Sequence, residues 1–125
     1  MNKKIIAGLV LAGTLVGLAA PSVTNAASSK VLIIGTDLPL QGASADASAD
    51  TNRAIDLYLK QQKGKAGKYT IQLKKYDNST AAKGAWDDAT CAKNANDHVS
   101  NKNEIAVMGT YNSGCAKIEI GRAHV

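Results

Sequence analysis

The chain has 125 residues, is 45% hydrophobic and 20% charged, and carries a formal charge of +5. Such a length and balance fit one ordinary globular domain and exclude a disordered chain, a collagen-like repeat and a disulfide-dense miniprotein. With one Trp, four Tyr and no Phe, the core has to be built from Ala, Val, Ile and Leu.

Met1 to Lys4 is basic, Ile5 to Ala20 is an uninterrupted run of apolar and small residues, and Pro21 breaks it. Thr24-Asn25-Ala26 then offers small residues three and one before a cut. These are the three regions of a secretory signal peptide, which assigns residues 1–26 to it with cleavage after Ala26. A retained anchor needs about 20 apolar residues, more than this glycine-containing run supplies. No Cys follows the run, so a lipid-modified amino terminus is not expected, and the expected location is periplasmic or extracellular. Taking Lys3 and Lys4 away from +5 leaves +3.

Lys30 to Asp37 is a β-branched apolar run of strand length, closed by a turn signal at Pro39 and Gly42. From Asp46 to Gln62, Ala47, Thr51, Ala54, Ile55, Tyr58 and Leu59 recur at helical spacing. Asp50, Arg53, Asp56 and Lys60 take the other face, with Asp56 and Lys60 spaced as an ion pair. The glycines at 64 and 67 end that helix and lead into an alternating strand over Tyr69 to Tyr76, expected at a sheet edge. Asp77 to Thr80 reads as a polar loop, Ala82 to Val99 as a long helix with Ala85, Ala89, Ala92, Ala95 and Val99 facing inward, and Ile105 to Thr110 as a buried third strand. Asn112-Ser113-Gly114 opens a further helix.

Strand and helix alternate, which predicts an α/β fold: a doubly wound parallel sheet with strand order 2-1-3. In such a sheet the binding crevice lies beyond the carboxyl ends of the first and third strands, between the loops Leu38 to Ala45 and Tyr111 to Cys115. The second loop has the chemistry of an anion site. Ser113 is a preferred N-cap, and the amides of Gly114, Cys115 and Ala116 are free donors at the positive end of a helix. Capping its own helix and holding a carboxylate are compatible roles for Ser113.

The segments Ile33 to Gly42 (IIGTDLPLQG), Tyr76-Asp77 and Val107 to Gly114 (VMGTYNSG) together resemble the amino-terminal lobe of branched-chain amino acid binding proteins, the type 1 periplasmic solute-binding proteins of ABC importers. The similarity runs from about Lys30 to Ile120. It implies a two-lobed binding protein that hands a carboxylate-bearing ligand, an amino acid, to a membrane permease. It also implies that Ser113 holds the ligand carboxylate together with Gly114, Asn112 and Tyr111, and that Gln41, Gly42, Ala43 and Ser44 form another wall. Arg53 departs from the family, which usually has glycine there, and this bears on helix packing rather than on binding. A second lobe and hinge strands would need a much longer chain, so the resemblance implies that residues 27–120 are a partial lobe, monomeric and not competent to bind as written. Other small ligands for the same lobe are an amide, a urea-like compound or an aromatic acid.

Cys91 and Cys115 form an even pair in an exported protein, and both fall on helices expected on one face of the sheet. A disulfide is therefore expected, contributing about 3 kcal/mol by closing its loop. A secreted α/β hydrolase using Ser113 as nucleophile is disfavoured, because the glycine such an elbow needs two residues earlier is Tyr111, and the only candidate base, His98, reads as a solvated residue. No catalytic residue, no cofactor and no metal is expected, since no ligand spacing is visible in the sequence. Lys63, Lys65, Lys68, Lys74, Lys75 and Lys83 flank a turn and an edge strand, so they read as a solvated face rather than a nucleic-acid site. Asn78-Ser79-Thr80 fits the glycosylation pattern but is more simply a loop and helix cap. The closing Glu119 to Val125 resembles the translation of a common sequencing adapter; residues 121–125, including His124, then carry no functional weight, and Glu119 and Ile120 are ambiguous.

Overall fold

The computed structural model describes residues 30–123, so the expected signal peptide (residues 1–26) and His124 lie outside the described residues. Strand β1 (Val31–Leu38) is central: it pairs in parallel with β3 (Tyr69–Asp77) along its whole length and with β6 (Glu104–Met108) on the other side. A short β2 (Lys65–Ala66) folds back antiparallel on the start of β3, giving the sheet order β2-β3-β1-β6. The expected 2-1-3 order of parallel strands is thus present, with β2 protecting the start of the outer strand.

Helix α1 (Ala45–Gln61), entered through a 3-10 turn at Gly42–Ser44, packs on one face of the sheet. Helices α2 (Asp88–Ser100) and α3 (Ser113–Ala123) pack together on the other. Alternation along β1 separates the two faces. Thr36 turns to α1, where its hydroxyl donates to the Asn52 side-chain oxygen at 2.7 Å, and Asp37 turns to α2, where it accepts from Asn94.

Several expectations are corrected by this packing. The inward face of α1 carries the buried Ser48 and Asn52 with half-buried Ile55 and Leu59, whereas Ala47, Thr51, Ala54 and Tyr58 are exposed. The stripe still faces the sheet, since Ala54, Ile55, Tyr58 and Leu59 line a cavity with Ile34 of β1 and Met108 of β6, but the fully buried contact is the polar one between Thr36 and Asn52. Arg53 pairs with Asp50 on the outer face and leaves the packing undisturbed. Asp56 pairs across to Lys75 of β3 and not along the helix to Lys60. Helix α2 starts at Asp88 and not at Ala82. Gly84 at φ 58° closes a hairpin between β4 (Ser79–Thr80) and β5 (Ala85–Trp86), and Asp87 then caps the helix by accepting from the Thr90 amide. Its inward stripe is Cys91, Asn94 and Ala95, with Val99 exposed.

Strand β6, expected to be buried, has Ile105, Ala106, Val107 and Met108 exposed, because among the described residues nothing pairs with its outer edge. Nor is the core aliphatic. Among the described residues its buried apolar members are Leu38, Pro39, Tyr76, Cys91, Ala95 and Cys115, and they are outnumbered by buried polar residues. Cys91 and Cys115 are bridged, with their Cα atoms 5.5 Å apart, and this disulfide ties α2 to α3.

Candidate functional site

The loops after β1 and β6 stand side by side, since those strands are parallel neighbours with Thr36 opposite Met108. Asp77, at the end of β3, fixes the first loop. Its carboxylate accepts from the Leu40 amide at 3.0 Å, from Gln41 Nε2 at 2.8 Å, and from the amide (2.8 Å) and hydroxyl of Ser79. Burial alone would raise the Asp77 carboxyl, but the donors from Ser79, Leu40 and Gln41 outweigh it and hold it below the ordinary carboxylate range. Gln41 is also tied to Ser79, by its own amide to the hydroxyl at 2.9 Å and by Nε2 to the carbonyl at 3.3 Å. Both amide hydrogens of the Gln41 side chain are therefore spent on positioning the loop.

Gly42, at φ +75°, and Ala43 pass under the β4–β5 hairpin. The Ala43 amide points at the Gly84 carbonyl at 3.4 Å, and a Cβ on Gly42 would fall 1.7 Å from that oxygen. The turn thus requires glycine for both its conformation and its clearance. Ser44 is half-buried just ahead of α1.

In the second loop Tyr111 is 58% exposed and Ser113 is exposed. The Asn112 carbonyl accepts from the Ala116 amide at 3.1 Å and from the Thr110 hydroxyl at 2.9 Å. Asn112 is therefore the capping position and Ser113 the first helical residue, so the helix starts one residue earlier than expected; the Ala116 amide is already used. The amides of Ser113, Gly114 and Cys115 are those that a helix start leaves without an intrahelical acceptor.

One contact was not legible in the sequence. The ring of Trp86, on β5, lies against Gly114: a Cβ there would meet ring atoms Cη2 and Cζ2 at 2.4 and 2.5 Å. The hairpin therefore brings an aromatic ring to the start of α3, and the only hint in the sequence was a lone Trp between Gly84 and Asp87. Gly114→Ala is expected to push the indole away at a cost of about 1–3 kcal/mol. Because the chain has one Trp, its emission maximum reports this directly; an unshifted spectrum would mean that the contact does not exist in solution.

His98, read from the sequence as solvated, is instead held between two buried carboxylates. Its Nδ1 is 2.6 Å from Glu104 Oε1 and its Nε2 3.2 Å from Asp37 Oδ2. Burial would lower the imidazole, but the bonds to Asp37 and Glu104 prevail and raise it. With both ring nitrogens engaged, His98 has none left to act as base for Ser113. Asn78 is fully buried, so its glycosylation pattern is inaccessible in this fold. Lys74 lies over the Tyr76 ring at 4.4 Å, and Lys83 pairs with Asp87 and helps draw its carboxyl down to about 2.

No protein-family model and no curated protein matches the sequence. Among solved structures, the chain is similar to the solute-binding protein of an ABC transporter from R. palustris, determined in complex with benzoate. The TM-score is 0.61 and the identity 25%, over 74% of this chain. The match covers 24% of that protein, so this chain spans about a quarter of its neighbour's length. The parallel-dominated sheet with its three helices corresponds to part of one lobe of such a binding protein.

Proposed function

We propose that the chain is part of the amino-terminal lobe of an exported solute-binding protein that captures a small carboxylate, an amino acid in the first reading, for delivery to an ABC permease. The observation that carries it is the start of α3. Ser113 and the neighbouring amides stand beside the loop after β1, at the carboxyl ends of adjacent parallel strands, in a fold similar to a ligand-binding protein. The role is capture, with no bond made or broken. A second reading, an aromatic acid, is favoured by the Trp86 ring against Gly114 and by the benzoate bound to the neighbouring structure.

Long-read sequencing of the source gene through the codons for residues 116–125 comes first, to establish the frame that follows. With the complete protein, calorimetry against leucine and benzoate separates the two readings. Ser113→Ala is expected to weaken the better ligand by about 10- to 100-fold, the value of a charge-assisted hydrogen bond of roughly 1.5–3 kcal/mol. Unchanged affinity in that variant would remove the carboxylate assignment.

A further inference from the structure

The ligand loops lie at the carboxyl ends of the parallel strands. At the opposite end, where β1, β3 and β6 begin, the fold gathers Lys30, Lys60, Lys63, Lys65, Lys68 and Lys102, all of them exposed. We propose that this basic pole docks on an anionic phospholipid membrane surface, with the ligand loops turned away from it. Lys60 is in the last turn of α1, and the Lys63 amide donates to its carbonyl at 3.0 Å. The Ile71 amide donates to the Gly64 carbonyl at 2.8 Å, which ties that turn to β3. The Lys30 carbonyl accepts from the Thr70 amide at 3.1 Å and sets the starts of β1 and β3 level, while the Asn103 carbonyl accepts from the Ile33 amide at 2.8 Å and brings the Lys102 turn beside them.

The positive charge at this pole is not cancelled locally. Among the described residues no carboxylate pairs with Lys30, Lys60, Lys63, Lys68 or Lys102. The nearby acids are spent elsewhere: Glu104 is 2% exposed and turned inward to His98, Tyr76 and Asn101, Asp97 pairs with Lys93, and Asp56 pairs with Lys75. At the ligand end, by contrast, Lys83 is held by Asp87 and Asp88. Strand spacings of about 4.8 Å put the outer strands β2 and β6 about 14 Å apart, and the screening length in physiological salt is about 8 Å. The lysines between them therefore act on a charged surface together.

Protection of the sheet edge accounts for lysines on β2 and β3 but not for Lys30, Lys60 and Lys102, which stand on other elements. Lys63 is held at φ 55°, a left-handed conformation that Gly or Asn takes at less cost, so a lysine occupies the tip of the turn against the backbone's preference. Two of the others are braced: Lys65 Nζ donates to the Thr70 hydroxyl at 2.6 Å, and Lys68 Nζ lies 5.5 Å from the centre of the Tyr69 ring. Tyr69 adds at the same end a ring of the kind that settles at the level of lipid headgroups. A group of about four to eight basic side chains is what anionic lipid attracts, each contributing about 5-fold to binding. The proposed export brings the chain beside a membrane, and a pole opposite the ligand loops leaves the crevice open to solute.

The protein without the expected signal peptide should sediment with phosphatidylcholine vesicles that contain phosphatidylglycerol and not with phosphatidylcholine alone. Raising salt from about 0.1 M to about 1 M shortens the screening length from about 10 Å to about 3 Å and should release it. This measurement on the unaltered protein does not depend on how any variant folds. Lys30→Gln, Lys63→Gln and Lys102→Gln combined are expected to weaken binding by about 100-fold. The same change of charge elsewhere, Lys83→Gln, Lys93→Gln and Lys117→Gln combined, should weaken it by less than about 5-fold. No retention on anionic vesicles, equal retention on neutral ones, or equal loss in the two triple variants would each overturn the proposal. So would release by millimolar inorganic phosphate, which would make the pole a site for a free anion.

Discussion

Replacing His98 with alanine is expected to cost the fold about 3–5 kcal/mol, a large part of the roughly 5–15 kcal/mol that such a domain has. The side chain is 9% exposed, and its two carboxylate partners, Asp37 and Glu104, are 0% and 2% exposed. Removing the imidazole leaves both carboxylates buried without their shared partner, and the penalty is that of the stranded charges rather than of the lost contact. His98→Gln, which can still donate to one of them, should cost less. Denaturant midpoints for the three proteins check this, and a change under about 0.5 kcal/mol for the alanine variant would mean that the cluster is solvated after all.

The same cluster fixes a pH dependence. His98 is raised from 6.5 by its partners, and Glu119 is raised from 4.5 to about 8 by burial and by Asp37. Both shifts are upward, so the folded state binds more protons than the unfolded chain and stability falls as pH rises. The contribution of Glu119 is complete below 4.5 and lost through about 8; that of His98 is complete below 6.5 and lost through its raised folded value. The denaturant midpoint of the unaltered protein should therefore decline between about pH 5 and about 8.

Removal of the disulfide is the second large effect. Cys91→Ser with Cys115→Ser is expected to lower stability by about 3 kcal/mol, the value for closing a loop of this length in the unfolded chain. The consequence is magnified by position. Both cysteines are fully buried, and among the described residues they share the core with few other buried apolar side chains, Leu38, Pro39, Tyr76 and Ala95. The bridge also joins the helix bearing Ser113 to the helix bearing His98, so its loss should loosen α3 first. Hydrogen exchange across residues 113–123 with and without the bridge reads this directly. A shift in unfolding free energy below about 1 kcal/mol, or exchange confined to other elements, would contradict it.

Alternation and glycine placement made the parallel strands and their order legible, because a short β-branched run between turn signals has few other ways to fold. The cysteine pairing was legible for a related reason, since a parallel sheet puts successive crossover helices where two such side chains can meet. Which helix residues are fully buried was not. In α1 the apolar stripe named Ile55 and Leu59, which are half-buried, with Ala54 and Tyr58 beside them against the sheet, but it gave no sign that the fully buried positions would be the polar Ser48 and Asn52, with Asn52 bonded to Thr36. The start of α2 was misplaced because alanines at 82, 85 and 89 fit a helix well. Gly84 in a left-handed turn and the capping carboxylate of Asp87 made residues 79–86 a hairpin.

Sequence alone therefore determined the α/β class, the strand order, the bridge between Cys91 and Cys115, and which two loops stand side by side at the carboxyl ends of β1 and β6. Each depends on local periodicity, on turn residues, or on a topology with one sensible closure. Only the tertiary structure brought Trp86 against Gly114, tied Gln41 to Asp77, and gathered Asp37, His98, Glu104 and Glu119 from four different elements. The physical reason is burial. Periodicity registers where apolar surface can hide, but a buried polar group is placed by the partner it finds across the fold, and no window of sequence contains both.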